Sequence, residues 1–303
     1  MKNILITGVS GFVGTNLVDY FKRRGDLNII GHSRNSSSVV KLINDLQAKT
    51  LDISKIDVVI HLAGIAHDLS GRFKADDYYQ VNTEGTKRIV DEYLKSNASK
   101  FVFISSIKAA CDTSASPADE SMKPNPVSAY GKSKLMAEEY IQSLEWKHGK
   151  SYHILRPAMI HGPGNKGNLN LLYRFVKSGI PFPFGAFYNQ RSFHSIENLC
   201  FIIQSLIEKD IEQGIYHAAD SGFLSTVQLY ELISETLGKK PRSLNLSRGM
   251  INVLATLVGK RSMINKLTEN MMVSNEKIVK AVGTLPVGLE EGLKETIRSF
   301  DGK

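Results

Sequence analysis

The sequence predicts an α/β fold, a doubly wound and mostly parallel β-sheet with helices on both faces. Short apolar runs with the character of buried strands alternate with longer segments of helical periodicity. Such alternation is typical of βαβ units, whose parallel strands are buried on both sides. A cluster of glycines directly follows the first strand and opens the first helix. Hydrophobic residues make up 42% of the 303-residue chain, which is enough to fill the core of such a fold.

Strands and helices are expected to alternate from the N-terminus to Pro157, where proline stops the last strand of the series. The expected strands are residues 2–7, 27–33, 48–51, 56–64, 100–106 and 151–157. The expected helices are residues 12–24, 37–47, 78–96 and 128–148.

The pattern changes after Pro157. Residues 160–190 are rich in Gly, Pro and Asn, which indicates a loop-rich region. A helix at 195–207 and a strand at 214–220 are placed to rejoin the sheet, and residues 225–303 are expected to form helices with short connections. An apolar stretch at 250–260 either lies on a membrane surface or packs over a substrate pocket, and the second interpretation is favoured.

The charge balance excludes some classes of protein. Lys and Arg outnumber Asp and Glu by 38 to 30, a modest net charge of +8 that fits an anionic small-molecule substrate or weak attraction to acidic membrane surfaces. The basic residues form no dense block with interleaved aromatic residues, so nucleic-acid binding is not expected. Apolar runs stay well short of about 18 residues, so no membrane-spanning segment is expected.

The cysteines and the N-terminus point to a protein of the cytoplasm. Cys111 and Cys200 cannot make a disulfide framework, and no Cys/His cluster predicts a metal site. The first residues lack the apolar region and cleavage site of a secretory signal.

The glycine turn predicts a dinucleotide site. Gly8, Gly11 and Gly14 lie between the first strand and the first helix. Backbone N–H groups of such a turn, here including those of Phe12 and Val13, can approach a pyrophosphate, and the helix N-terminus adds about half a positive charge. In a Rossmann-type turn, glycine permits the tight bend, the close approach of the ligand and the packing of helix on strand.

The end of the second strand favours NADP(H) over NAD(H). A carboxylate there would bind the ribose hydroxyls and repel a 2′-phosphate. The chain instead has His32, Ser33 and Arg34, with no carboxylate before Asp45. Ser33 and Arg34 can bind the phosphate, Arg34 by charge and paired hydrogen bonds. The alternative is a solvated Arg34. After the next expected strand, Asp52 and Ile53 are placed at the adenine edge.

A tyrosine and a lysine are placed to do acid/base chemistry. Tyr130 and Lys134 are four residues apart, on one face of a helix. A phenol has a pKa near 10, and lowering it by about three units needs roughly 4 kcal/mol from a neighbouring ammonium and the cofactor. Tyr130 would then act on a carbonyl or hydroxyl, with the hydroxyl of Ser106 holding the same oxygen. The alternative is an exposed helix face, which the combined motifs disfavour.

These motifs resemble the extended short-chain dehydrogenase/reductase family, and within it the nucleotide-sugar epimerases, dehydratases and 4-keto-reductases. The resemblance runs from residue 2 to about residue 300. The segments that carry it are TGVSGFVG at 7–14, HLAG at 61–64, VNTEGT at 81–86, FISS at 103–106, YGKSK at 130–134, LRP at 155–157, RSFHSIEN at 191–198 and the C-terminal NEKIVKAVGTLPVGLEEGLKETI.

The resemblance implies a role for individual residues. Ser106, Tyr130 and Lys134 would be the catalytic triad, and Lys134 would also bind the nicotinamide ribose. Asn82 would lie near the nicotinamide, and Arg191 and Asn168 would bind the nucleotide diphosphate of the substrate. The matching motifs also assign Leu62, Ala63, Gly64 and Pro157 to the cofactor site.

The resemblance also implies two domains and a homodimer. We expect an NAD(P)-binding Rossmann domain at 1–157, which 191–219 rejoins. A smaller C-terminal α/β substrate-binding domain would comprise 158–190 and 220–303. The homodimer would form on the helices at 78–96 and 128–148.

Departures from the family pattern narrow the choice of reaction. Where 4,6-dehydratases have Asp-Glu after the catalytic hydroxyl, this chain has Ile107 and Lys108, so dehydration is disfavoured. The segment SSIK resembles a branch of 4-epimerases and 4-keto-reductases. Lys108 either contacts the substrate or is a surface residue. Met159 stands where 4-epimerases commonly have asparagine, which weakens the epimerase interpretation slightly.

The expected function is therefore NADPH-dependent reduction of a UDP-linked 4-keto (6-deoxy) hexose at C4, because the missing carboxylate after the second strand favours a cofactor drawn from a reducing pool. The alternative is a UDP-hexose 4-epimerase. A remote alternative is a non-catalytic NADP-sensing regulator.

Overall fold

The computed structural model of the protein describes residues 1–25, 27–32, 41–42, 53–65, 73–165, 167–246, 249–251 and 268–300. Within these ranges the chain forms a seven-stranded parallel sheet in the order β3-β2-β1-β4-β5-β6-β9, and a two-stranded parallel sheet of β7 and β8. The strands are β1 Lys2–Thr7, β2 Leu27–His32, β3 Lys41–Leu42, β4 Val58–His61, β5 Lys100–Ile104, β6 Ser151–Pro157, β7 Met159–His161, β8 Phe193–Ser195 and β9 Gly214–Ala218.

Helices cover the sheet and continue beyond it. They are α1 Phe12–Lys22, α2 Ala75–Tyr78, α3 Gly85–Lys95, α4 Ala129–Ser143, α5 Asn168–Lys177, α6 Ile196–Glu208, α7 Thr226–Thr236, α8 Glu276–Val282 and α9 Leu289–Arg298. A π-helical turn, Tyr79–Glu84, joins α2 to α3. No helix in these ranges is long and apolar enough to cross a bilayer.

The side chains of the central strand β1 point alternately to the two faces of the sheet. Ile4 and Ile6 lie in one core layer with Leu199 of α6, whereas Leu5 lies in the other with Ile141 of α4. All five side chains are fully buried. Because neighbouring strand residues point to opposite faces, a continuous apolar strand needs helices on both. The predicted doubly wound fold is confirmed.

Two regions differ from the expected elements. Lys41–Leu42 pairs with β2 as a strand, although residues 37–47 were expected to be a helix; the rest of that segment lies outside the described residues. The expected loop region 160–190 contains part of β7 and all of helix α5. Its apolar residues Leu169, Tyr173 and Val176 are buried at helical spacing, and this periodicity outweighs the surrounding Gly and Pro.

The C-terminal segments add a second hydrophobic cluster beside the sheet. Helices α5, α7 and α9 pack around Phe182, whose ring stacks on Tyr230 with centroids 4.6 Å apart. β9 lies beside β6 in the main sheet, and α6 packs against α1. The division into two domains stays a prediction.

A buried carboxylate joins the main sheet to the two-stranded sheet and to α6. Asp220, just after β9, accepts hydrogen bonds from the Ser195 N–H at 2.9 Å and the Asn198 amide at 2.7 Å, and it lies 3.1 Å from Nδ1 of His194. Nε2 of His161 lies 3.5 Å from its other oxygen. Burial alone would raise the pKa of Asp220, but these neighbours outweigh it and hold the pKa well below the usual range of a carboxyl group.

We expect Asp220→Asn to lower the free energy of unfolding by about 3 kcal/mol at pH 7, because the buried donors lose their charged acceptor. The folded-state pKa of Asp220 lies below the unfolded value, so this stabilisation is present above about pH 4 and is lost as the pH falls. Urea unfolding at pH 7 and pH 3.5 measures the effect, with Asp19→Asn on the exposed face of α1 as the control. A difference from the parent that stays constant between the two pH values would contradict this account.

Candidate active site

The glycine turn lies directly against the end of β4. Gly8 has a φ of +77°, in the left-handed region that favours glycine, and its N–H donates to the carbonyl of His32 at 2.8 Å. A Cβ on Gly8 would lie 2.8 Å from the backbone nitrogen of Ala63, and a Cβ on Gly14 would overlap the carbonyl oxygen of Gly8. Both positions therefore require glycine.

The N-terminus of α1 fits the pyrophosphate of a dinucleotide. Gly11, the N-cap of this helix, has no side chain that could bind the N–H groups of the first turn, which starts at Phe12. Such N–H groups and the helix dipole attract an anion. The order of the sheet reverses between β1 and β4, and ligands of open parallel sheets bind at the carboxyl edge of that point. The residues of this edge thus suit a nicotinamide dinucleotide.

Ser106 and Tyr130 meet at the same edge. Ser106 lies two residues beyond β5, where its Oγ accepts the N–H of Lys108 at 3.2 Å. Helix α4 begins at Ala129 because the Ser128 side chain caps it, accepting the Gly131 N–H at 3.1 Å. This start places Tyr130 in the first turn of α4, and its hydroxyl is hydrogen-bonded to the side chain of Ser106.

Lys134 lies one turn further along α4, with only 4% of its surface exposed. Its ammonium donates to the carbonyl of Ile104 at 3.0 Å and lies 4.7 Å from the ring centre of Phe103. A Cβ on Gly64 would come within 3.3 Å of the Lys134 Nζ. The ammonium therefore reaches the end of β4, beside the glycine turn.

The expected lowering of the Tyr130 pKa, to which the positive ring of the cofactor contributes, stays a prediction. Burial raises the pKa of Tyr130 above its ordinary value; the hydrogen bond from Ser106 opposes this, while Tyr78 and Glu138 add to it. The ring of Tyr78 packs edge-on against Tyr130, with centroids 6.1 Å apart. These surroundings favour the neutral phenol, so the positive ring of a bound nicotinamide would have to help Tyr130 accept a proton.

We expect the binding of a dinucleotide to depend on pH through Lys134. Burial lowers the pKa of Lys134 to about 8, and the charge of Glu138 acts in the opposite direction. If the ammonium binds the ribose, the Kd for the cofactor should increase up to about tenfold for each pH unit above 8, because the ammonium loses its proton as the pH rises. Calorimetric titration between pH 6.5 and 9.5 measures this. Lys134→Met should show weak, pH-independent binding, and the exposed neighbour Lys132→Met should behave as the parent. A flat parent profile would refute the prediction.

Asn82 holds the loop after β4 against α4. It lies in the π-helical turn, with no exposed surface. Its Oδ1 accepts the Ile65 N–H at 2.7 Å, and its Nδ2 lies 3.1 Å from both the Ile65 carbonyl and the Ser133 hydroxyl. These bonds give Asn82 a positioning role in the structure, and its contact with the nicotinamide stays a prediction. Periodicity predicted one continuous helix over 78–96 and missed this turn.

The remaining residues assigned to the cofactor lie at different depths. Leu62, Ala63 and Gly64 follow β4 beside the glycine turn, and the half-buried Phe12 and Val13 open α1. Three are buried: His32 at the end of β2, Pro157 at the end of β6, and Ile53 in the core layer that contains Leu5. The Ile53 side chain therefore packs in the core, and its place at the adenine edge stays a prediction. Ser33, Arg34 and Asp52 lie outside the described residues.

The expected substrate-binding residues come from three segments. The half-buried Lys108 ammonium is paired with Asp112 at 3.0 Å, and its contact with the substrate stays a prediction. Arg191 precedes β8 and donates to the carbonyl of Glu269 at 3.3 Å; burial lowers the pKa of its guanidinium, while Glu269 raises it. Asn168 is the first residue of α5, and its side chain lies outside the described part of the structure.

A buried charge network behind Lys134 was missed by sequence reasoning. Glu138, one turn beyond Lys134 on α4, is fully buried and binds Arg156 of β6 through Nε, 3.1 Å from both carboxylate oxygens, and through a second nitrogen at 2.6 Å. The Ser105 hydroxyl also donates to Glu138. An arginine inside the apolar strand 151–157 was the available signal, since a buried guanidinium needs a carboxylate partner.

The chain matches the family model described as the NAD dependent epimerase/dehydratase family over residues 4–219. The protein belongs to this family. Its members act with a nicotinamide cofactor on nucleotide sugars, and the resemblance deduced from the sequence motifs is confirmed.

The similarity to known proteins covers nearly the whole chain. A UDP-glucose 4-epimerase of Vibrio cholerae is 31% identical over 99% of this chain and 95% of its own. An N-acetyl-α-D-glucosaminyl-diphospho-ditrans,octacis-undecaprenol 4-epimerase of Escherichia coli O157:H7 is 27% identical over 98% and 94%. A UDP-glucuronic acid 4-epimerase of Bacillus cereus, solved with UDP-glucuronic acid and NAD, has a TM-score of 0.78 at 20% identity, with 99% of both chains covered. At that identity the structural match shows the fold alone.

Proposed function

We propose that the protein is a 4-epimerase of a UDP-linked hexose. The observation that carries this is the meeting of Ser106, Tyr130 and Lys134 beside the glycine turn at the carboxyl edge of the sheet. The names of the relatives support the choice of reaction, because two that match nearly the whole chain are 4-epimerases. The expectation of a reductase from the sequence stays a prediction.

Each residue of the site has its own role in the reaction at the C4 oxygen of the sugar. A bound nicotinamide would supply hydride chemistry at C4, and inversion would require the 4-keto sugar to turn in the site before the hydrogen is returned. Ser106 holds the oxygen by a hydrogen bond, and Tyr130 takes the hydroxyl proton and gives it back. Lys134 supplies the positive charge that stabilises the phenolate while the proton is away from Tyr130. The buried setting strengthens each of these interactions, because little water screens them.

The test is incubation of the purified protein with UDP-glucose, UDP-N-acetylglucosamine and UDP-glucuronic acid in turn. We expect the anomeric proton signals of a 4-epimer to appear in the NMR spectrum of at least one mixture, with no net change of the cofactor. If none of the three nucleotide sugars gives an epimer or any turnover of the cofactor, the proposal is overturned.

A second candidate function, the NADPH-dependent 4-reductase, is favoured by one observation in the sequence. Residues 31–34 lack a carboxylate and provide Ser33 and Arg34 for a 2′-phosphate. In the reductase reaction, Tyr130 would protonate the alkoxide that develops on the C4 oxygen. NADPH consumption at 340 nm with a UDP-4-keto-6-deoxy hexose tests it, and Arg34→Ala should raise KM for NADPH and leave KM for NADH unchanged. A preference of the parent for NADH would end this candidate and the assignment of NADP(H).

We also propose a cytoplasmic homodimer. The proposed interface is formed by α3 and α4, and Met136 of α4 supports it because 44% of this apolar side chain is exposed. Light scattering of the parent and of Met136→Glu tests the assembly. A monomeric parent would contradict it.

A further inference from the structure

The positive charge of the chain is concentrated in two segments. Residues 168–190 and 237–268 contain nine Lys and Arg residues and not one Asp or Glu. Subtracting these nine from the 38 cations of the whole chain leaves 29, against 30 carboxylates. The rest of the protein is therefore close to neutral, and the excess positive charge lies in these two segments.

The structure joins the described parts of these segments into one surface, which we call the basic surface and define as residues 171–180 and 239–245. The Lys239 ammonium donates to the carbonyl of Lys177 at 2.6 Å. Phe182, two residues after the first stretch, donates its N–H to the carbonyl of Arg242 at 2.7 Å, and its own carbonyl accepts the N–H of Leu244 at 2.7 Å. The two stretches consequently lie side by side.

The basic surface displays both cations and apolar side chains to solvent. Its five cations are Arg174, Lys177, Lys239, Lys240 and Arg242, and all are exposed. Leu171, Ile180 and Leu244 are 57%, 54% and 49% exposed among them. The carboxylate nearest along the chain is Glu235, which precedes Lys239 by four residues and lies outside the surface.

From this combination we propose that the basic surface docks the protein on an anionic phospholipid bilayer. Lysine and arginine near such a bilayer are attracted to the headgroup phosphates, and each contributes separately to binding. Apolar side chains among the cations enter the boundary between headgroups and acyl chains. A nucleic acid would use the charges but has no comparable apolar phase for three exposed aliphatic side chains.

The basic surface shares no residue with the candidate active site. The basic surface includes most of α5, whose first residue is Asn168, and a ten-residue helix is about 15 Å long. The diphosphate contact expected from Arg191 belongs to another segment, before β8. The cations of the basic surface are thus separate from those assigned to the substrate, and the proposal does not depend on which C4 reaction the enzyme performs.

The test is co-sedimentation of the full chain with sucrose-loaded vesicles. We expect binding to vesicles of equal parts phosphatidylglycerol and phosphatidylcholine at low salt, and little binding to pure phosphatidylcholine. Lys239→Glu combined with Lys240→Glu should weaken binding by about thirtyfold or more, from the typical contribution of one lysine near an anionic surface. Leu244→Ser should reduce the binding that remains at high salt, where charge attraction is screened.

A matched pair of charge reversals serves as the control. Lys55→Glu with Lys147→Glu changes the net charge equally, and both residues are exposed near the amino edge of the sheet, before β4 and β6. This control should bind vesicles like the parent. If both double variants lose vesicle binding equally, or if the parent does not bind vesicles, the proposal is overturned. Retained vesicle binding with lost turnover of a soluble UDP-sugar in the Lys239/Lys240 variant would also overturn it, because those lysines would then serve the substrate.

Discussion

Replacement of Tyr130 by phenylalanine is expected to lower turnover by about a thousandfold, the usual contribution of a positioned acid/base group. Phenylalanine keeps the ring that packs against Tyr78 and removes only the hydroxyl bonded to Ser106. Because the glycine turn and Lys134 are untouched, the Kd for the dinucleotide should change little. Steady-state turnover and calorimetric cofactor binding measure the two quantities.

The matched control for this variant is Tyr188→Phe, which removes a hydroxyl from a side chain that is 78% exposed and should leave turnover unchanged. Turnover of Tyr130→Phe within a few-fold of the parent would refute the assignment of Tyr130. Intact cofactor binding in a parent with no detectable turnover on any nucleotide sugar would instead support the non-catalytic NADP-sensing alternative.

Replacement of Glu138 by glutamine is expected to lower the free energy of unfolding by about 3–5 kcal/mol, because the buried guanidinium of Arg156 loses its counter-charge. Glu138 is fully buried and Arg156 nearly so, so water cannot compensate. Urea unfolding measures the change. Glu92→Gln, which breaks an exposed pair with Lys95, is the control and should have no measurable effect. A parent-like midpoint for Glu138→Gln would contradict the account.

A double variant separates the stabilising role of this network from its electrostatic role. Glu138→Leu with Arg156→Met replaces the ion pair by apolar groups and should recover most of the stability. Glu138 raises the pKa of Lys134, so in the double variant that pKa should fall below about 8. The loss of cofactor affinity with rising pH should therefore begin at a lower pH than in the parent. An unchanged pH profile would show that Glu138 does not act on Lys134.

The order of strands and helices could be predicted because each has its own periodicity. Continuous apolar strands such as β1, the glycines that follow it and the serine-capped start of α4 are local signals. These signals also placed Ser106, Tyr130 and Lys134 in sequence order at the ends of neighbouring elements, where the structure brings them together.

What could not be predicted depends on contacts between distant segments. The direction of the Tyr130 pKa shift follows mainly from how deeply the phenol is buried, which no spacing reveals. Arg156 and Glu138 are 18 residues apart and meet only after β6 and α4 have packed. The π-helical turn at Tyr79–Glu84 is fixed by bonds such as that from Asn82 to Ser133, 51 residues away.

The most direct measurement is to follow the hydrogen at C4 of the sugar. The protein, loaded with unlabelled oxidised cofactor, is mixed with UDP-hexoses deuterated at C4 and denatured during turnover, and the released cofactor is analysed by mass spectrometry. The account predicts a deuterium atom on the reduced cofactor, formed much more slowly with Tyr130→Phe. Product formation with the deuterium lost to water, or with the cofactor never labelled, would contradict it.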